Sequence, residues 1–241
     1  LFTRIGVIGY GAFGRLLVDE LTKVVERVFV YDLAKDASLP DNAEFTNLAQ
    51  LANCEVIFLA TTFDAFDDVL AELATFLGQD TIVADVCSVK LKPLAKMQKL
   101  LPTNTKIVAT HPLFGPESGR QDQIKKAVIC TESDEEAMGK IASLYQQLDW
   151  EVINMTADEH DLEMARIHGL TFFIAETLLE LNLPEPTMPT SFYVNLQNLV
   201  EIQAKHSDKL TETIEKHNPY SADARARFLQ VAKDLNRKFN N

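Results

Sequence analysis

The 241-residue chain holds three cysteines, one tryptophan and no apolar run approaching the roughly 18 residues needed to span a bilayer. That last absence argues against a membrane-crossing helix. Cys54, Cys87 and Cys130 form an odd set with no CxxC spacing, which argues against a disulfide framework, and no metal site is expected. All three lie in apolar, strand-like stretches, so they are expected to be buried structural thiols in a reducing, cytoplasmic compartment. Basic residues are scarce too: 23 Lys and Arg stand against 35 Asp and Glu, a net charge of −12. Sequence-independent nucleic-acid binding needs a basic footprint and is excluded as a class, whereas a small anionic substrate is not, because a local donor cluster can oppose the global field. There is no internal repeat and no low-complexity tract. The chain does not open on methionine, and a strand pattern begins at once without a charged-then-apolar leader; the expectation is a chain short of a few native residues and without a signal peptide.

What is present is an alternation. Short β-branched runs at 4–9, 27–32, 55–61, 81–86, 106–111, 127–131 and 151–155 are separated by helical patterns near 12–25, 64–78, 89–101 and 134–148. Strands alternating with helices of this length predict right-handed βαβ crossovers and a mostly parallel sheet. The uninterrupted apolar character of Val56–Ala60 and Ile82–Ala84 fits strands covered on both faces. Beyond Met155 no strand pattern follows. Residues 158–182 read as one long helix, broken by three prolines between Pro184 and Pro189, with further helices from 191 to 217 and from 221 onward. The fold class expected is therefore α/β: a Rossmann-type domain over 1–156 and an all-helical domain over 157–241. Residues 170–181 are apolar around most of the helix, too greasy for a unit of this size, which predicts burial on several sides and a homodimer through the helical domain.

Gly9-Tyr10-Gly11-Ala12-Phe13-Gly14 follows the first strand and opens the first helix. In this context Gly9 makes a tight turn, Gly11 lets backbone approach a pyrophosphate and Gly14 permits close helix–strand packing, with the anion on the N–H groups of Ala12 and Phe13 at the helix N-terminus. Asp32, ending the second strand, is placed to accept from ribose hydroxyls and to repel a 2′-phosphate, which favours NAD over NADP. Thr61, at the end of the third predicted strand, completes the cofactor residues. The plainer reading is that Asp32 starts a turn and the glycines serve packing.

Ligands in open α/β sheets bind outside the carboxyl ends of the strands. Ser88 and His111 occupy two such ends. An imidazole there can act as a general base and a hydroxyl can orient it. Ser88 is also a good N-cap for a helix starting at Val89, and His111 could be a satisfied strand-end histidine. The segment after it, Pro112-Leu113-Phe114-Gly115-Pro116-Glu117-Ser118-Gly119, spends two prolines and two glycines on fixing a loop, which favours a functional shape.

The runs Asp85-Val86-Cys87-Ser88-Val89-Lys90 and His111 through Gly119, with the later Glu159-His160-Asp161, resemble the prephenate and arogenate dehydrogenases, in order along nearly the whole chain. The resemblance implies oxidative decarboxylation: hydride leaves the ring carbon bearing the 4-hydroxyl for NAD, His111 takes the hydroxyl proton with Ser88 beside it, and the ring carboxylate departs as CO2. Glu117, Ser118 and Gly119 fall at the substrate mouth. The resemblance also implies a substrate-binding histidine where Phe172 stands, and a carboxylate-clamping arginine within 191–201, where there is none. His168, one turn from Phe172, is the candidate substitute, or it packs in the core or at a subunit contact. Arg120, Arg166 and Lys92 are alternative donors, and His160 is expected to orient the start of the helix. The acidic residue of some arogenate-specific members would fall near Ile129 and Cys130; its absence leans toward prephenate. Two rivals stand beside this reading. A β-hydroxyacid dehydrogenase would place a lysine on the long helix, and 158–182 has none; a non-catalytic NAD-binding regulator would explain the missing histidine and arginine, but not the retained loop.

Overall fold

The computed structural model describes residues 2–34, 38–78, 80–116, 124–184 and 186–240. They divide into two compact units, 1–160 and 161–241. The division falls at His160, inside a helix.

The first unit alternates as predicted: β1 (Arg4–Ile8), α1 (Ala12–Leu21), β2 (Arg27–Tyr31), β3 (Ala43–Phe45), α2 (Leu48–Leu51), β4 (Val56–Leu59), a 3-10 turn (Phe63–Ala65) leading into α3 (Phe66–Leu73), β5 (Ile82–Asp85), α4 (Leu91–Leu100), β6 (Lys106–Pro112), β7 (Lys126–Cys130), α5 (Glu135–Gln147) and β8 (Glu151–Met155). Among the described residues the sheet has eight strands in the order β3-β2-β1-β4-β5-β6-β7-β8. All neighbours run parallel except β6 and β7, which pair antiparallel from Thr110↔Ile129 to Pro112↔Ala127. β3 and α2 have three and four residues, too few for a periodic signal, and the sequence pattern passes over both.

Alternate residues of the strands feed two hydrophobic layers, because successive side chains point to opposite faces. Val7, Val30, Phe58 and Ala84 pack with Leu17 and Leu21 of α1 and Ile141 and Tyr145 of α5. On the other face, Ile57, Leu59 and Val83 pack with Leu51 of α2, Phe66 and Leu70 of α3 and Met97 of α4. All of β4 is buried, as its unbroken apolar run requires. Strand order reverses between β1 and β4, and the crevice at that point, on the carboxyl side of the sheet, is where such folds take ligands.

Cys54 and Cys130 are buried, but Cys87 is only half-buried, just past the end of β5, so the expectation of three buried thiols fails for one of them. Burial lifts the Cys54 thiol to about 11. Burial, then the nearby Asp85 carboxylate, pushes the Cys87 thiol up as well.

The chain enters the long helix through a capping box: Glu159 N–H donates to Thr156 Oγ1 at 3.1 Å while Glu159 Oε2 accepts from Thr156 N–H at 2.9 Å. These bonds from Thr156 hold the Glu159 carboxyl below the ordinary range. The helix is α6 (Ala157–Met164), a π-helical turn (Ala165–Gly169) and α7 (Leu170–Glu180), so one wider turn interrupts the run expected over 158–182. No strand occurs among the described residues of the second unit; α8 (Ser191–Gln203), α9 (Asp208–His217) and α10 (Ser221–Phe239) complete it. Within α7 only Phe172 and Ala175 are buried, so the predicted burial on several sides is not met within one chain. No helix among the described residues is long and apolar enough to cross a membrane.

Candidate active site

The glycine turn is built as its spacing requires. Gly9 has φ +100°, and a Cβ there would lie 2.5 Å from the Ala60 carbonyl oxygen and 2.9 Å from the Thr61 nitrogen, so only glycine lets the turn close against the end of β4. A Cβ on Gly14 would overlap the Gly9 carbonyl oxygen, which bars any side chain where α1 crosses β1. Gly11 is different: among the described residues nothing lies within 4 Å of where its Cβ would be. Its lack of a side chain serves no internal packing and leaves open space at the helix start. The first intrahelical bond runs from Arg15 N–H to Gly11 O, no side chain caps the helix, and its first turn carries no acid. The N–H groups of Ala12, Phe13 and Gly14 thus precede the ladder at the positive end of the helix dipole, a setting that suits an anion. The arrangement fits the diphosphate of a dinucleotide. Gly11→Val is expected to leave the melting temperature unchanged while weakening nucleotide binding at least 10-fold, as titration calorimetry would read; a comparable loss of fold stability would mean that Gly11 serves packing.

Asp32 stands directly after β2. Its Oδ2 accepts from Tyr10 N–H at 2.6 Å and its Oδ1 from Ala34 N–H at 2.9 Å, so the carboxylate ties the end of β2 to the glycine turn. Thr61 flanks the same turn after β4. Arg15 borders it too, donating from Nε to the Tyr10 carbonyl at 3.2 Å with its guanidinium over the Tyr10 ring.

Ser88 and His111 lie past or at the carboxyl ends of β5 and β6, which are adjacent and in register from Ile82↔Lys106 to Asp85↔Ala109. Ser88 is half-buried and does not cap the next helix. α4 starts at Leu91 with Lys90 at its N-cap and no side-chain cap bond, contrary to the predicted start at Val89. The reason lies in Lys90, which turns inward instead. Its side chain and that of Asp85 are fully buried as an ion pair, and the ammonium also donates to the Thr110 carbonyl. Asp85 accepts from Cys87 N–H at 3.0 Å and Thr110 N–H at 3.3 Å. The Thr110 hydroxyl bonds the Asp85 carbonyl at 2.6 Å and the Tyr145 hydroxyl at 2.9 Å. Burial drives the Tyr145 phenol well above its ordinary range. This network fastens β5 to β6 one residue before His111.

His111 is 4% exposed, and its Nδ1 is 2.8 Å from Nε2 of His160, which is fully buried on α6. The rings meet edge to face with centroids 5.0 Å apart. Sequence reading assigned His160 to the helix start and Ser88 to the imidazole; the structure gives the imidazole a histidine partner 49 positions away. Only the grouping Glu159-His160-Asp161 hinted at a role, since spacing alone cannot pair residues so distant.

The loop after His111 is anchored by Phe114, which packs edge-on against Trp150 at 4.7 Å and tilted to Phe13 of the glycine turn at 6.4 Å. Glu117, Ser118, Gly119 and Arg120 lie outside the described residues. In the second unit His168 sits in the π-helical turn, its ring edge-on to Phe172 at 4.7 Å, and His206 stacks on the other side of Phe172 at 4.8 Å and 8°. Gln203, buried, bonds Glu176 at 2.9 Å and lies 3.5 Å from His206 Nδ1. The place of the missing histidine is thus a phenylalanine between two imidazoles, and His206 escaped sequence analysis because it lies in the α8–α9 connection. Ile129 and Cys130 are both fully buried in β7. Their apolar character follows from the core, so the lean toward prephenate based on them loses its footing.

Comparison with known proteins follows the same lines. The profile described as "Prephenate dehydrogenase, nucleotide-binding domain" matches residues 26–153, beginning after the glycine turn, which therefore stands on geometry. Arogenate dehydrogenase 1, chloroplastic, of Arabidopsis thaliana is 29% identical over 93% of this chain and 37% of its own length. Arogenate dehydrogenase 2, chloroplastic, of the same plant is 26% identical over 96% of this chain and 70% of its own. The chain thus spans little more than a third of the first relative. In fold it is similar to prephenate dehydrogenase from A. aeolicus, solved with hydroxyphenyl propionate and NAD+, at TM-score 0.78 and 17% identity over 98% of this chain and 90% of that one. Synechocystis arogenate dehydrogenase aligns at TM-score 0.73 and 19% identity, covering 99% and 92%. With the family profile matched across more than half of its residues, the chain belongs to the prephenate dehydrogenase family.

Proposed function

We propose that the protein catalyses oxidative decarboxylation of prephenate or arogenate, which share the reacting ring, with NAD as hydride acceptor. The reading rests on one observation above all: a buried imidazole, His111, at the carboxyl end of a strand in a nucleotide-binding sheet of this family. The glycine turn and the N-terminus of α1 hold the dinucleotide diphosphate, and Asp32 has lone pairs left for ribose hydroxyls while opposing a 2′-phosphate. When bound, the nicotinamide supplies the two-electron acceptor for the hydride of the carbinol carbon.

His111 does the proton work. With Nδ1 engaged by His160, Nε2 is the nitrogen assigned to the substrate hydroxyl, and Ser88, past the neighbouring strand end, orients that hydroxyl. The O–H proton moves to Nε2 as the C–H bond gives up its hydride. The ring carboxylate then leaves as CO2, its bonding electrons complete the aromatic ring, and the phenolic oxygen takes the proton back. No net proton is released. Glu117, Ser118, Gly119 and His168 are assigned to the substrate.

NADH absorbance with prephenate and with arogenate tests the reaction; formation with neither, while NAD binds, would favour the non-catalytic regulator. Relatives differ in cofactor, since one from Schizosaccharomyces pombe is named for NADP(+). Asp32→Ser is expected to relax the preference for NAD over NADP in kcat/KM; an unchanged ratio would remove Asp32 from ribose recognition.

We also propose a homodimer through the helical unit. Its support is the set of exposed large apolar side chains there, among them Phe192, Met188 and Leu181, and the half-exposed flanks of α7. Sedimentation at micromolar concentration is expected to give twice the chain mass; a stable monomer would contradict it.

A further inference from the structure

We propose that His160 is the positioning residue of His111: it accepts the Nδ1–H of His111, selects the tautomer whose Nε2 can take a proton, and receives the Nδ1 proton when that happens. The role rests on the function proposed above.

A 2.8 Å contact between two ring nitrogens requires one proton between them. Of the four combinations of neutral tautomers, two are excluded, because facing N–H groups collide and facing lone pairs repel. In one survivor His111 donates from Nδ1 and its Nε2 carries no hydrogen. In the other His160 donates from Nε2 and His111 carries its hydrogen on Nε2. For the His111 ring alone these are the tautomers before and after the relay; after it, His160 also keeps its Nδ1–H and is cationic.

The step balances without another reactant. The substrate O–H bond breaks and Nε2–H forms on His111; Nδ1–H of His111 breaks and Nε2–H forms on His160, which becomes the imidazolium. His111 is left neutral, and the positive charge sits one ring farther from the reacting carbon. The reverse shift returns the proton to the phenolic oxygen after CO2 has left. Two imidazolium rings at this separation would repel strongly, so the buried pair carries at most one positive charge during the step.

The supporting element is tied down at its start. His160 lies in the first turn of α6, whose start is fixed by the Thr156–Glu159 box and by Ala157 N–H donating to Glu132 at 3.0 Å. Across from it, His111 is held at the end of β6 by the Lys90–Asp85–Thr110 network.

The test compares wild type with His160→Phe, which keeps a ring but no acceptor, and His160→Gln, which restores an acceptor oxygen. Long-range proton–nitrogen NMR of chains labelled with 15N-histidine reads the His111 tautomer without substrate. Wild type is expected to show His111 protonated at Nδ1 with a bare Nε2, a single tautomer lost in His160→Phe and regained in His160→Gln. With whichever substrate wild type turns over, His160→Phe should lower kcat on the order of 10²-fold, with NAD affinity unchanged, and His160→Gln, which can hold the tautomer but cannot take the proton, should recover only part of it. A His111 protonated at Nε2 in wild type, or full kcat in His160→Phe, overturns the proposal. A wild type inactive on both substrates overturns the reaction proposed above, and the tautomer measurement then decides the pairing alone.

Discussion

His111→Ala is expected to lower kcat by about 10²–10⁴-fold, the usual contribution of a positioned general base, with the Kd for NAD unchanged. The two effects separate because the groups sit on different elements. The residues proposed for the cofactor belong to the turn between β1 and α1 and to the ends of β2 and β4, whereas His111 belongs to β6. Removing the imidazole takes away the acceptor for the hydroxyl proton, so the hydride must leave a carbon whose oxygen keeps its hydrogen. KM for the organic substrate should move far less than kcat. Steady-state NADH formation and calorimetry with NAD check this, and a variant within threefold of wild type would remove His111 from the chemistry.

Lys90→Met is expected to cost about 3–5 kcal/mol of folding stability, the usual penalty for leaving one member of a buried ion pair without its partner. Both side chains are fully buried, so water cannot take over the role of the ammonium. Asp85 keeps its two backbone donors, from Cys87 and Thr110, but loses its countercharge. For a chain of this size the melting temperature should fall by about 6–20 °C. Combining it with Asp85→Asn, which removes the stranded charge, should return much of the loss. Denaturant unfolding of the three variants measures it; a single-variant loss below 1 kcal/mol would show that the pair is not the clamp between β5 and β6. Because that clamp ends one residue before His111, turnover should fall in the single variant even where it remains folded.

These expectations draw on different layers of information. The glycine turn proposed for the cofactor was legible in the sequence because its determinants are local. Gly9, Gly11 and Gly14 are three backbone requirements within six residues, and Asp32 ends the next strand. The structure separates their duties, with two glycines serving close approach and Gly11 serving open space. Strand periodicity found the parallel sheet for the same reason, and missed β3 because three residues carry no period.

The proposed catalytic end was only half legible. Ser88 and His111 could be placed at strand ends, yet their surroundings could not, because those come from contacts across the fold. Lys90 is a helix-start residue by sequence and an inward-facing ion by structure. His160 is five residues past β8 by sequence and a bonded partner of His111 by structure. The apolar pair Ile129 and Cys130 invited a reading about substrate recognition that full burial in β7 explains more simply.

Order along the chain thus determined the family resemblance, the α/β alternation followed by helices, and the dinucleotide turn, since turn chemistry and hydrophobic period act between near neighbours. Tertiary structure alone decided which imidazole meets His111, which charge is buried beside it, and that His206 lies on Phe172. Those pairings join β5, β6 and α6, or α7 and the α8–α9 connection, and strand order and helix packing bring them together across separations that no local pattern encodes.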